Sequence, residues 1–169
     1  MRQIDIKRYY IFIYQMDIEL FNNKLKVFEC GKVLVKRCNR DEYYEKFITK
    51  TKTSNSIRLT FECKSKNFKI HRIIGFAYLG LNIHNTKQVI DHIDRNPRNN
   101  QLTNLRIVSL QQNQFNRNAK GFYKVGNKYQ AQIRLNGKQY HLGMYPTREL
   151  AHNAYLEGKK ILHIIPNHP

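Results

Sequence analysis

Apolar and polar positions change rhythm along the chain and divide it into three segments. Residues 1–68 carry short aromatic and β-branched runs, Tyr10–Tyr14, Leu25–Phe28 and Ile57–Phe61, separated by polar breaks such as Thr49–Ser56. Runs of that kind predict strands, so this segment reads as a β-rich scaffold. In residues 69–118, Val89-Ile90 and Arg106-Ile107-Val108 form short β runs around a polar loop rich in Asn and Pro. Ser109 then stands where it can cap a helix running through Gln112 to Arg117. The predicted order there is strand, loop, strand, helix.

Residues 119–169 give the clearest pattern. Two turn dipeptides, Gly126-Asn127 and Asn136-Gly137, separate three strand-like runs. Asn-Gly is a strong hairpin signal because both central turn positions need positive φ. The expected product is a three-stranded meander. After Pro146, Thr147 can cap a helix in which Leu150, Ala151, Ala154, Tyr155, Gly158, Ile161 and Leu162 recur at helical spacing, with Glu149 near the positive end of its dipole. One apolar helix face would cover the sheet. The fold class read from the chain is α+β: a β-rich N-terminal segment, a strand-loop-strand-helix unit, and an antiparallel sheet packed on one helix.

Hairpin pairing sorts the faces of that sheet. A two-residue turn at Asn136-Gly137 sets Ile133 opposite Tyr140 and Ala131 opposite Leu142 on the covered side. Arg134 then pairs with Gln139 and Gln132 with His141 on the exposed side, and the other turn adds Gln130 opposite Tyr123, with Lys128 at the margin. Arg and Gln read guanine and adenine edges in the major groove, which makes this face a candidate DNA reader. A solvated polar face is the other reading.

Charge narrows the partners. Lys and Arg number 30 against 12 Asp and Glu, a net charge of +18, and the basic residues occur along the whole chain rather than in one tail. A distributed basic surface suits a nucleic-acid backbone. Membrane binding is a poorer fit, since no apolar run exceeds Tyr9–Tyr14 and no basic amphipathic helix accompanies it. Cys30, Cys38 and Cys63 are far apart with no CxxC pair, which supports neither a disulfide framework nor a zinc knuckle. No signal peptide is visible, and the expected location is intracellular, in the cytoplasm or nucleus of a host cell.

The stretch Val89–Asn116, VIDHIDRNPRNNQLTNLRIVSLQQNQFN, concentrates the candidate chemistry. Its Asp-His pair is followed at fixed spacing by Asn104 and Asn113. Neighbouring side chains on a regular strand point to opposite faces, so Asp91 and His92 serve one substrate phosphate only where the strand ends or bends. From Ile70 to Arg117 the chain resembles the HNH nucleases of the ββα-metal type, particularly the homing-endonuclease branch. The resemblance implies that Asp91 binds a single divalent metal, His92 is the general base, Asn113 completes the metal site, and Asn104 holds the loop by hydrogen bonds. The upstream stretch Lys69–Tyr78 also resembles the lead-in of homing-type members and implies that His71 and Arg72 lie near the site. The Glu29–Val33 turn faintly resembles a module preceding the motif in some of them. Those residue types suit the chemistry. An imidazole titrating near neutrality can take a proton from water. One carboxylate with a neutral carbonyl oxygen suits Mg²⁺ or Mn²⁺, bound weakly until substrate phosphates join.

From Gly121 to Leu162 the chain resembles the APETALA-two, or ethylene-response-factor, DNA-binding domain: Lys128-Tyr-Gln-Ala-Gln-Ile-Arg134, then His141-Leu-Gly143, then Thr147 leading into an Ala-rich helix. The resemblance implies DNA contacts from Gln132, Arg134 and His141, the face that strand pairing selects independently. Plant members have Trp where this chain has Tyr129 and His141, and no Trp occurs here. The expectation is a metal-dependent, site-directed endonuclease of double-stranded DNA, monomeric or homodimeric, whose single site would nick one strand. The alternatives are a sequence-specific DNA-binding regulator with a vestigial motif and, more distantly, an RNA-directed or defence nuclease.

Overall fold

The computed structural model describes residues 15–20, 23–36, 41–45, 48–51, 54–61 and 64–165. The expected strand at Tyr10–Tyr14 lies outside these residues, as do Cys38 and Cys63. By contacts the chain falls into two units, residues 1–86 with 92–105 and residues 87–91 with 106–169. They cut across the three segments of the sequence pattern, and the division runs between Asp91 and His92.

The first unit holds two antiparallel sheets. Strands β1 (Gln15–Leu20), β2 (Asn23–Phe28), β3 (Val33–Lys36) and β4 (Tyr43–Glu45) form one in sequence order; β5 (Thr49–Lys50), β6 (Asn55–Phe61) and β7 (Lys64–Lys69) form the other. Alternation decides what they bury: Leu25 and Val27 on β2, Val33 and Val35 on β3, and Ile57 and Leu59 on β6 are all at most 2% exposed. Helix α1 (Ile70–Tyr78) buries Ile70, Ile73 and Ile74 and contacts β2, β6 and β7. It has no side-chain N-cap, so apolar burial rather than capping holds it. The Tyr78 hydroxyl ties its end to the Val27 carbonyl at 2.7 Å.

Strands β8 (Gln88–His92) and β9 (Leu105–Ser109) pair, and helix α2 (Leu110–Phe115) follows at once. Ser109 and Gln112 cap it reciprocally: the Ser109 hydroxyl accepts from the Gln112 N–H and the Gln112 side chain accepts from the Ser109 N–H. The helix ends at Phe115 rather than reaching Arg117, with Asn116 as its C-cap.

The second unit also contains β10 (Phe122–Val125), β11 (Lys128–Leu135) and β12 (Lys138–Tyr145) as an antiparallel meander, then α3 (Arg148–Leu162) with the Thr147 hydroxyl accepting from the Leu150 N–H. Asn136 and Gly137 both take positive φ at the second turn, 52° and 75°. Register follows the turns at Tyr123 with Gln130, Gln132 with His141, Ile133 with Tyr140 and Arg134 with Gln139. It departs from the expected pairing one step further, where Ala131 meets Gly143 instead of Leu142. A bulge there makes Leu142 the extra residue, and its side chain packs against Gly158 of α3. Ala131 and Ile133 are buried, whereas Tyr140, expected on the covered side, is 41% exposed. Phe115 stacks on His163 with ring centres 3.9 Å apart, which fastens α2 to the end of α3.

Candidate functional site

Asp91 ends in a buried ionic cluster of the second unit. It is 5% exposed, and its Oδ2 accepts two hydrogen bonds from Arg106, from Nε at 2.9 Å and a terminal nitrogen at 2.8 Å. The Asn116 amide adds donors to Oδ1 at 3.0 Å and Oδ2 at 3.1 Å. β9 delivers Arg106 and the C-cap of α2 delivers Asn116, so the pairing of two short strands and the turn into the helix together fix one carboxylate. Asn113, which the resemblance implies as a metal ligand, is half-buried on α2, and its amide makes no hydrogen bond to the described residues. The structure therefore brings Asn116 to Asp91 directly, while Asn113 stands one turn earlier on the same helix.

His92 belongs to the first unit and is 9% exposed. Its Nε2 lies 3.1 Å from Oδ1 of Asn100, which is itself 7% exposed. The Asn100 Nδ2 donates to the Arg98 carbonyl at 3.4 Å, so the amide presents its oxygen to the imidazole. An oxygen acceptor needs a donor opposite. That arrangement favours the tautomer with the proton on Nε2.

His71, on α1, stands edge-on to His92 with ring centres 5.0 Å apart. Burial, and then the neighbouring His92, Lys69 and Arg72, push its pKa down to about 3, so it is neutral at physiological pH. Its Nδ1 is buried without a hydrogen-bond partner. Arg72 donates to the Ile83 carbonyl at 3.0 Å, which holds its side chain on its own unit.

Asn104 organises the loop between the two strands. Its Oδ1 accepts from the Asp94 N–H at 3.0 Å, and its Nδ2 donates to Asp94 Oδ1 at 2.9 Å and to the Asn99 carbonyl at 2.8 Å. The Asn104 carbonyl also accepts from the Ile93 N–H at 2.9 Å. Donors from the Asn99 side chain, the Asn96 backbone and Asn104 hold the Asp94 carboxyl below the usual range. Such a knot fixes the path of the chain immediately after His92.

The outer face of the C-terminal sheet gathers the other candidates. Lys128, Arg134, Gln139 and His141 are exposed, Gln130 and Gln132 are half-buried, and Tyr123 is 43% exposed. Gln139 donates to Gln132 across the strands. A groove of about 790 Å³ runs along this unit, lined by Tyr123, Gln132, Arg134 and Gln139 from the sheet and by Gln111 and Gln114 from α2. The two α2 glutamines were not legible as groove residues, because their place depends on how α2 packs.

Arg106 and Asn100 were missed as well, and so was the bond from Asn116 to Asp91. A charged residue inside the apolar run Leu105–Val108 was the available signal for Arg106, since a buried charge requires a partner. Asn100 and Asn116 carried no comparable signal among so many amides. Among the described residues no cluster of three or more His, Cys, Asp or Glu could hold a metal ion.

Residues 68–115 match the model of the HNH endonuclease family. A protein of Acanthamoeba polyphaga mimivirus described as an uncharacterized HNH endonuclease is 41% identical over 71 residues, which are 39% of this chain and 38% of that protein. The chain thus spans well under two thirds of the curated relative it matches. A solved structure of the HNH homing endonuclease I-HmuI, from work on its DNA binding and cleavage, is similar with a TM-score of 0.50 and 24% identity, covering 83% of this chain and 82% of that one. At that identity the likeness shows the fold, a mixed α+β, strand-rich chain with few helices.

Proposed function

We propose that this chain is a metal-dependent, site-directed DNA endonuclease of the homing type, with His92 as general base. The observation that carries the reading is that two consecutive residues of the segment matching the HNH family are each held by side chains of their own unit: Asn100 meets Nε2 of His92, and Arg106 and Asn116 hold Asp91. Nδ1 of His92 takes a proton from the attacking water, and Asp91 is paired with Arg106. His71, kept neutral, lines the base without competing for that proton. Asn104 acts on the catalytic loop through the backbone it holds.

The residues fit a hard divalent cation such as Mg²⁺ or Mn²⁺. Asp91 Oδ1 accepts a single hydrogen bond and keeps lone-pair capacity, whereas Oδ2 accepts three. Asp91 and the amide oxygen of Asn113 would hold the ion, with waters and substrate phosphates in the remaining positions. When bound it would stabilise charge on the phosphate and the leaving oxygen. With Arg106 already balancing Asp91, affinity in the absence of DNA would be low.

The C-terminal sheet is the proposed reader of double-stranded DNA. Its resemblance to the APETALA-two domain and the polar face formed by exposed Tyr123, Lys128, Arg134, Gln139 and His141 with half-buried Gln130 and Gln132 both support this, and Arg72 is a further basic candidate beside the motif. One motif implies one cut strand per protomer.

The test is to incubate the protein with mixed genomic DNA and Mg²⁺ and to map the cut ends. Clustered, metal-dependent ends are expected. His92→Ala should lower the rate by about 10²–10⁴-fold while keeping DNA affinity. Sequence-specific binding without any cut would instead favour the regulator.

A further inference from the structure

We propose that the Glu29–Gly31 turn and Asn100 form a positioning device that sets the tautomer of His92; this rests on His92 being the base. The turn closes β2 onto β3 within the first unit, with the Gly31 N–H donating to the Phe28 carbonyl at 2.9 Å and the Phe28 N–H to the Lys32 carbonyl at 3.0 Å. Its strands are anchored by Leu25, Val27, Val33 and Val35, all at most 2% exposed. The turn is therefore a stiff projection of the core rather than a loose loop.

It reaches the catalytic loop at two points. Gly31, at φ +91°, packs tightly on Asn100: a Cβ there would lie 3.1 Å from both the Cβ and the carbonyl oxygen of Asn100, close enough that the loop would have to shift. The Glu29 carbonyl accepts from the Leu102 N–H at 2.8 Å, just past Asn100. Asn100 is thus pressed from one side by the turn and tied down at its C-terminal flank. Its Oδ1 meets Nε2 of His92 at 3.1 Å. The turn sets the backbone and Cβ of Asn100, and the bond from its Nδ2 to the Arg98 carbonyl turns the amide oxygen toward the ring. The N-terminal sheet, read from the sequence as a scaffold whose turn faintly resembles a module preceding the motif, thereby orients the base through one amide. Such partners fix ring orientation and tautomer, as they do for metal-bound imidazoles, where losing one costs about 10–100-fold.

The test uses the full chain labelled with ¹⁵N-histidine, with His92 assigned by its absence from His92→Ala. Wild type should show His92 as the Nε2–H tautomer. Asn100→Leu and Gly31→Ala should mix the tautomers and lower kcat by about 10–100-fold with KM for duplex DNA little changed. Asn100→Asp, which retains an oxygen acceptor, should keep the tautomer and most of kcat. Unchanged tautomer and kcat in Asn100→Leu and Gly31→Ala would overturn the proposal even with His92→Ala inactive, which leaves the base intact. Wild-type cutting by His92→Ala would overturn the base instead, while the spectra still report on the ring. Should Gly31→Ala fail to fold, hydrogen exchange at Leu102 in the unmodified protein decides: slow exchange supports the brace, and exchange at open-loop rates overturns it.

Discussion

Burying Asp91 and Arg106 strips both of hydration, and each is tolerable only because the other is there. Replacing Arg106 with Leu should therefore destabilise the protein by about 3–5 kcal/mol, measured by urea unfolding, because it strands a buried carboxylate. Loss of under about 1 kcal/mol would mean that the pair is hydrated. At the proposed metal position, Asn113→Ala should need more Mg²⁺ for cleavage, since water can replace a neutral ligand, whereas Asn116→Ala, which loosens only the hold on Asp91, should move the Mg²⁺ midpoint less. The opposite pattern would move the ligand to Asn116. His71 adds a pH term. It stays neutral down to about pH 3 when folded but binds a proton below about 6.5 when unfolded, so the unfolded state holds more protons between those values. Stability should fall as pH drops through that window, by up to about 1.4 kcal/mol per unit from this group, and His71→Leu should flatten the fall. An equal slope in both proteins would place a compensating charge near the ring. Asp91 and His92 were legible because they are consecutive and followed at fixed spacing. Their partners were not: Asn100, Arg106 and Asn116 lie 8, 15 and 25 positions away, and only the folded chain chooses them from a crowd of amides and cations.

At the scale of elements, the C-terminal meander was legible because turn chemistry is local. Asn136 and Gly137 adopt the positive φ that the hairpin demands, and the strands on either side follow. The bulge was illegible, since it answers a tertiary need: it lets Leu142 seat against Gly158, where an added Cβ would come within 2.8 Å of Leu142. Similarly, α1 shows no capping signal in the chain, and its three isoleucines find their places only when β2, β6 and β7 are assembled. Gly121 is the sharpest case. It has φ +71°, its carbonyl accepts from the Gln132 N–H at 2.9 Å, and a Cβ would sit 1.8 Å from the Tyr155 ring. Tyr155 is 6% exposed, so its ring would have to leave its packed position to make room. Gly121→Ala should therefore cost at least about 1–3 kcal/mol and loosen α3 from the sheet. Amide exchange is the measurement: faster exchange on β11 and α3 is expected, and wild-type protection would mean that the ring shifts without cost.

At the scale of the whole molecule, a net charge of +18 sets nonspecific affinity for a polyanion and leaves site choice undetermined. Choice must come from a few side chains on a rigid surface. On the proposed reading Arg134 is the leading one, being exposed on β11 opposite Gln139 and lining the groove beside Gln132 and Tyr123. Lys128, at the start of the same strand, has the reach and charge of a phosphate contact. The two should therefore fail differently. Arg134→Ala should cost about 1–3 kcal/mol on the preferred site, with a smaller loss on random duplex, so specificity falls more than affinity. Lys128→Ala should weaken both duplexes alike and reduce the log-log salt slope by about 0.9. Titrating wild type and the two variants on specific and random duplexes at several salt concentrations separates these outcomes. If Arg134→Ala weakens both duplexes equally, the guanidinium contacts backbone and not bases. If neither variant changes site preference or slope, the sheet face is a solvated surface, and the basic residues of the other unit must carry recognition.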